Sequence, residues 1–129
     1  MSRQVVHTEK GPKAIGPYSQ AIVAQGSFIF VSGQIGILPD TGEFADTTVE
    51  GQAKQALNNI KAILEAGGSG LKNVVKTTVL LHRIEDFAAL NAIYATFFTE
   101  NPPARATFGG LDLPKGALVE IECVALIEN

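Results

Sequence analysis

The chain has no tryptophan, one methionine and one cysteine among its 129 residues. A single thiol excludes an intramolecular disulfide framework and any zinc site built on several cysteines. Charge is scarce as well: charged residues make up 18% of the chain, where an average soluble domain carries ~25%. Ten Lys and Arg against 13 Asp and Glu leave a net charge of −3, so no basic field exists to attract nucleic acid, which is disfavoured as a partner. No apolar run reaches the ~18 residues of a membrane span, and residues 1–7 lack the apolar stretch of a secretory signal. A cytoplasmic, reducing compartment is expected, in agreement with the lone cysteine.

What is present suits a packed globule. Hydrophobic residues reach 46%, too many for an intrinsically disordered chain. The length suffices to bury a core without staples. With no internal repeat, low-complexity tract or linker-like shift, residues 1–129 read as a single domain. A small domain has much surface per volume, so the shortage of charge suggests that part of that surface faces another subunit.

Residues 21–25 and 28–32 flank Gly26-Ser27, a pair suited to a type II′ hairpin turn. Residues 49–66 repeat apolar side chains at helical spacing, and Thr47-Thr48-Val49-Glu50 has the capping-box pattern with Thr47 as the cap. Gly67-Gly68 ends that helix. Residues 74–81 read as a strand. Residues 85–98 read as a second amphipathic helix with Phe87, Leu90, Ile93, Tyr94 and Phe97 inward, stopped by Pro102-Pro103. Strands follow at 104–108 and 118–126. The predicted order is β-β-α-β-α-β-β with a further short strand at 4–7. That makes an α+β domain with two helices packed on one face of a mixed sheet. The other face must be polar or covered by a partner; Phe28-Ile29-Phe30-Val31, apolar in both alternating positions, favours the partner.

Few residues offer chemistry. Arg105 sits on a short strand with uncharged neighbours and Thr107 on its own face, placed to clamp a carboxylate bidentately. The alternative is an ordinary surface or ion-paired arginine. Glu120 and Glu122 share one face of the last strand, about 7 Å apart; either handles a proton if desolvated, or both simply face solvent. His7 and His82 have no partners at ligand spacing, so no metal site is expected. Cys123 alternates with Val119, Ile121 and Ala125 and reads as a small buried hydrophobe. Gly67-Gly68-Ser69-Gly70 follows a helix C-terminus, the wrong end of the dipole for phosphate. No Gly-x-Ser-x-Gly elbow occurs.

Taken together, the motifs resemble the RidA family, the YjgF-type reactive-intermediate deaminases, over nearly the whole chain. Ala14-Ile15-Gly16-Pro17-Tyr18-Ser19-Gln20-Ala21 is similar to the family's N-terminal signature. Phe30-Val31-Ser32-Gly33-Gln34-Ile35-Gly36 resembles its second block, and Phe87-Ala88-Ala89-Leu90-Asn91-Ala92-Ile93-Tyr94 its second helix. Pro102-Pro103-Ala104-Arg105, Leu113-Pro114-Lys115-Gly116 and Val119-Glu120-Ile121-Glu122 complete the set.

The resemblance implies a chorismate-mutase-like domain and a homotrimer with three clefts between subunits. It also implies cofactor-free hydrolysis of 2-imino acids such as 2-iminobutanoate and 2-iminopropanoate to 2-keto acids and ammonia. Arg105 matches the arginine that binds the substrate carboxylate, and Glu120 the acid that places and activates water. Tyr18, Ser32, Gly33 and Asn91 match positions that line or support the pocket, and Phe87 is expected to reach in from the adjacent subunit. Backbone near Gly33 and Thr107 is expected to hold the imine nitrogen. Many members carry cysteine where this chain has Thr107, which removes any mechanism that needs that thiol. Phe108-Gly109-Gly110 also departs from the family pattern, with a possible effect on pocket size. Rival readings are a regulatory trimer that binds small carboxylates without turnover, a ribonuclease or translation inhibitor, and a holdase-like chaperone.

Overall fold

The computed structural model describes residues 2–127. Six strands and two helices follow one another as β1 (Arg3–Val6), β2 (Ala21–Ala24), β3 (Phe28–Ile35), α1 (Val49–Ala66), β4 (Val74–Leu81), α2 (Phe87–Phe97), β5 (Ala104–Phe108) and β6 (Val119–Leu126). Strict alternation makes β6 a central strand: Val119, Ile121, Cys123 and Ala125 are buried while Glu122 is exposed. It pairs antiparallel with β3 on one side and with β4 on the other. Strand β5 extends the sheet parallel to β4, giving the order β3-β6-β4-β5. This is the mixed sheet expected of an α+β domain.

Both helices cover one face. The apolar stripe of α1 buries Ala53, Ala56, Leu57, Ile60 and Leu64, and α2 contributes Leu90 and Tyr94, against the inward row of β6 and the Val79 and Leu81 side chains of β4. Gln52 of α1 is buried and ties helix to sheet, donating to the Asp46 carbonyl and accepting from the Leu118 N–H at 2.9 Å. Burial without those bonds would be costly.

Three expectations are corrected. Residues 21–25 and 28–32 do not form a hairpin; β2 pairs antiparallel with β1 instead, in register from Arg3↔Ala24 to Val6↔Ala21. After Gly26 (φ +137°), the Ser27 carbonyl accepts from Ile127, so the chain is drawn onto β6. Pairing with the central strand buries Val31 in the core, which a two-stranded hairpin cannot do. The cap of α1 is Thr48, whose hydroxyl accepts from the Gly51 N–H at 3.1 Å, one residue later than the capping box implied. Thr47 instead donates its N–H to the Asp46 carboxylate. The second helix begins at Phe87 because residues 84–86 form a 3₁₀ turn.

The face away from the helices carries the other alternating set. Phe30 is 75% exposed and Phe108 54% exposed. Glu120, Glu122 and Thr78 share that face by register, so apolar and polar side chains mix on it.

Candidate active site

Strand β5 lies at the sheet edge, and its parallel register with β4 sets Arg105 beside Thr77 and Thr107 beside Val79. Both side chains therefore share the helix-covered face. The segment before β2 is pinned to the entry of β5: Ser19 donates its hydroxyl to the Pro102 carbonyl and its N–H to the Pro103 carbonyl. That fixes Tyr18 over Arg105, and the Tyr18 hydroxyl accepts from the Ile15 N–H at 3.1 Å.

Three aromatic rings enclose the guanidinium. Its Cζ lies 4.8 Å from the ring centroid of Tyr94, 5.5 Å from Phe87 and 5.6 Å from Tyr18, within the range of cation–π attraction. Burial pushes the Arg105 pKa below its ordinary value, while Tyr94 and Tyr18 act in the opposite sense. No acidic side chain among the described residues contributes to that balance. Among the described residues, the buried side-chain polar atoms with no hydrogen-bond partner are Arg105 Nη1, Thr107 Oγ1 and Asn91 Oδ1. Native structures keep such atoms few, because each costs roughly 1–3 kcal/mol. Here all three belong to one neighbourhood. A cavity of about 190 Å³ opens there, lined by Ile15, Tyr18, Phe87, Arg105 and Thr107. Gly16 lies against the same groups: a Cβ there would lie 3.3 Å from Asn91 Nδ2 and 3.7 Å from Arg105 Nη2. Larger cavities exist, such as one of about 410 Å³ beside Lys13 and Gln20, but none of those unpartnered atoms lines it.

Glu120 lies on the opposite face. It pairs with Ile35 and Leu80, one residue out of phase with the inward Ile121, so the pleat turns its carboxylate to the open side. The β3–β6 register shifts between Val31 and Gln34, a bulge at Ser32-Gly33 that sets Gly33 against this carboxylate. A Cβ on Gly33 would overlap the Glu120 side chain, so a larger residue there would displace the carboxylate. Tyr18, Phe87, Asn91, Arg105 and Thr107 thus gather on one side of the sheet, and Ser32, Gly33 and Glu120 on the other. One chain does not bring Arg105 and Glu120 together. Phe87, expected from an adjacent subunit, packs on Arg105 of its own chain because α2 begins directly over β5.

Other candidates take structural places. Cys123 is buried and its thiol is pushed up to about 12, chiefly by burial. Glu122 is exposed. His82 Nδ1 lies 2.9 Å from the Leu111 carbonyl and His7 pairs with Glu9. Among the described residues no three His, Cys, Asp or Glu side chains cluster as metal ligands, and no helix is long and apolar enough to cross a membrane. Gly109 is needed because a Cβ would sit 2.6 Å from Ile84 Cβ in the 3₁₀ turn, whereas Gly110 has open space around it and a positive φ of +74°; neither lines the cavity. Sequence reasoning placed Tyr94 in the core and missed that it faces Arg105. The available signal was its spacing of seven from Phe87, which puts both rings on one side of α2.

The sequence matches the Endoribonuclease L-PSP family over residues 8–127. It is 50% identical to a human 2-iminobutanoate/2-iminopropanoate deaminase, covering 96% of this chain and 90% of that protein. Identity to the chloroplastic Reactive Intermediate Deaminase A of Arabidopsis thaliana is 46%, over 98% of this chain and 67% of that protein. The crystal structure of RidA from the Antarctic bacterium Psychrobacter sp. PAMC 21119 superposes with a TM-score of 0.76 at 44% identity, covering 96% of this chain and 99% of that one. With its motifs, its sheet and its length all matched, the chain belongs to the Endoribonuclease L-PSP family, which includes the RidA-type reactive intermediate deaminases.

Proposed function

We propose that this protein hydrolyses 2-imino acids, of the 2-iminobutanoate and 2-iminopropanoate class, to 2-keto acids and ammonia. The observation that carries this reading is Arg105: a buried guanidinium held by aromatic rings, with an unpartnered Nη1 beside the unpartnered Thr107 hydroxyl. Such a group suits a small carboxylate, because an arginine already paired with an acid has no charge left for a ligand. The names of the human and Arabidopsis relatives support the same chemistry.

The reaction needs little machinery. The carbon of R–C(=NH₂⁺)–COO⁻ is already electrophilic, so neither a covalent nucleophile nor a cofactor is required. Arg105 fixes the carboxylate and thereby orients the C=N bond. Water attacks the carbon, and Glu120 takes one of its protons and passes it to the nitrogen; as the C–N bond breaks, the remaining hydroxyl proton passes to the departing ammonia, giving a 2-keto acid and ammonium. Thr107 and Asn91 offer hydrogen bonds near Arg105. Since Arg105 and Glu120 occupy opposite sides of the sheet, the complete site joins Arg105 of one subunit to Glu120 of another. The exposed apolar face with Phe30 and Phe108 supports such an assembly, a homotrimer with its clefts at the seams.

The separation of Arg105 from Glu120 favours one second reading: an unassembled chain binds small carboxylates without turning them over. A net charge of −3 disfavours a ribonuclease role, which draws on basic residues to hold RNA. The test is ammonia release from 2-iminobutanoate generated in situ by a dehydratase. The wild type should accelerate it, and Arg105→Ala should lose at least about 100-fold in kcat/KM, the cost of one charge-assisted bidentate contact. Full acceleration by Arg105→Ala sinks the assignment. Saturable 2-ketobutyrate binding with unaccelerated ammonia release favours the carboxylate binder.

A further inference from the structure

We infer that Tyr94 is a positioning residue that holds the Arg105 guanidinium by its ring, in the place an ion-pairing carboxylate usually takes. The inference rests on the proposed role of Arg105 as the carboxylate-binding group. Of the three rings around Arg105, that of Tyr94 is nearest, at 4.8 Å from Cζ. It is also fully buried, at 0% exposure. Its hydroxyl and the Thr77 hydroxyl share a buried hydrogen bond of 2.7 Å. Thr77 is the residue registered beside Arg105 across the β4–β5 pair. The ring also packs on Phe98, with centroids 4.7 Å apart. Strand, helix and guanidinium thus close a small ring of contacts: Arg105 beside Thr77, Thr77 bonded to Tyr94, Tyr94 under Arg105.

This arrangement has a chemical consequence. A carboxylate partner would fix the arginine equally well, but it would neutralise the charge and occupy the fork of donors that a substrate carboxylate needs. An aromatic face attracts the cation through its quadrupole and takes up none of the N–H donors. Tyr94 remains neutral in this role, since burial raises its pKa to about 12. Phe87 and Tyr18 line the cavity, whereas Tyr94 does not. Tyr94 therefore acts through Arg105 and touches no ligand.

The role separates cleanly from that of a mere core residue. Tyr94→Phe keeps the ring and removes the hydroxyl, leaving Thr77 Oγ1 buried without its partner; it should lower stability yet retain ligand affinity. Adding Thr77→Val removes both polar atoms and should recover stability. Tyr94→Leu, or Tyr94→Met should the leucine variant not fold, removes the ring. That change should weaken 2-ketobutyrate binding, measured calorimetrically, and raise KM for 2-iminobutanoate by about 5- to 30-fold, with kcat changed less than KM. A readout free of ligand accompanies these. The Nε–H resonance of Arg105, assigned by its loss in Arg105→Lys, should be displaced by ring currents in the wild type and in Tyr94→Phe. It should return towards the free-arginine position in Tyr94→Leu or Tyr94→Met.

A folded ring-less variant with wild-type affinity, KM and Arg105 resonance overturns the inference. So does a Tyr94→Phe variant that loses as much affinity as the ring-less one, since the hydroxyl and not the ring would then matter. If the wild type neither binds 2-ketobutyrate nor hydrolyses the imine, the proposed function fails, while the resonance of Arg105 still decides what Tyr94 does.

Discussion

At the scale of single residues, burial rather than identity decides what each reactive group does. Cys123 and Arg105 occupy one row, on either side of Thr77 across the sheet. The thiol ends in the core with its pKa near 12, and the guanidinium ends at a cavity. Cys123 should therefore resist iodoacetamide in the native protein at neutral pH and react fully once unfolded; rapid native labelling would contradict this placement. The sign of the pH effect follows from the direction of the shift. A thiol whose folded pKa lies above its unfolded value of ~8.5 contributes stability that is complete below that value and is lost as pH rises towards 12. Urea midpoints should accordingly fall from pH 8 to pH 11 more steeply in the wild type than in Cys123→Ala. Gly33→Ala should act for a different reason, because its Cβ would displace the Glu120 carboxylate. It is expected to impair turnover more than 2-ketobutyrate binding, since Arg105 lies on the other face; equal losses would place Gly33 at the carboxylate end of the site.

At the scale of elements, long periodic segments were legible and pairing was not. The span of α1 and the strands at 74–81 and 104–108 follow from apolar spacing and proline punctuation alone. The cap of α1 was displaced by one residue because both Thr47 and Thr48 satisfy the local pattern, and only the backbone shows which hydroxyl reaches an amide. Thr48→Ala should cost about 1 kcal/mol in urea unfolding, and Thr47→Ala much less. The reverse order would restore the capping-box reading. The partner of β3 was illegible for a stronger reason. Gly26-Ser27 suits a hairpin locally, but β6 offers a long apolar strand and a buried neighbour for Val31. Non-local burial outweighed a good turn.

At the scale of the whole molecule, the two faces of the sheet separate the proposed site into halves. If each site joins Arg105 of one subunit to Glu120 of the next, inactive Arg105→Ala and Glu120→Gln chains should complement each other. Random mixing in equal amounts gives about three-quarters mixed trimers, each with one intact seam in three, so about one-quarter of wild-type activity should return after unfolding and refolding together. No recovery would place both residues of a site in a single chain. Phe30→Asp sets a charge on the exposed apolar face and should reduce the assembly, seen by light scattering, together with turnover. A monomer with full activity would undo the link between the sparse charge and the site.

The sequence by itself determined the two helices, the strand alternation, the buried thiol and the family. Each depends on local periodicity or on motif order, both written along the chain. Tertiary structure alone decided that β3 joins β6, that Phe87 and Tyr94 meet Arg105, and that Glu120 faces away from it. These depend on register, and a shift of one residue turns a side chain through the sheet to the other face. Exposed apolar surface, suggested at the outset by the scarce charge, therefore acquires a location at Phe30 and Phe108, on the open face beside Glu120.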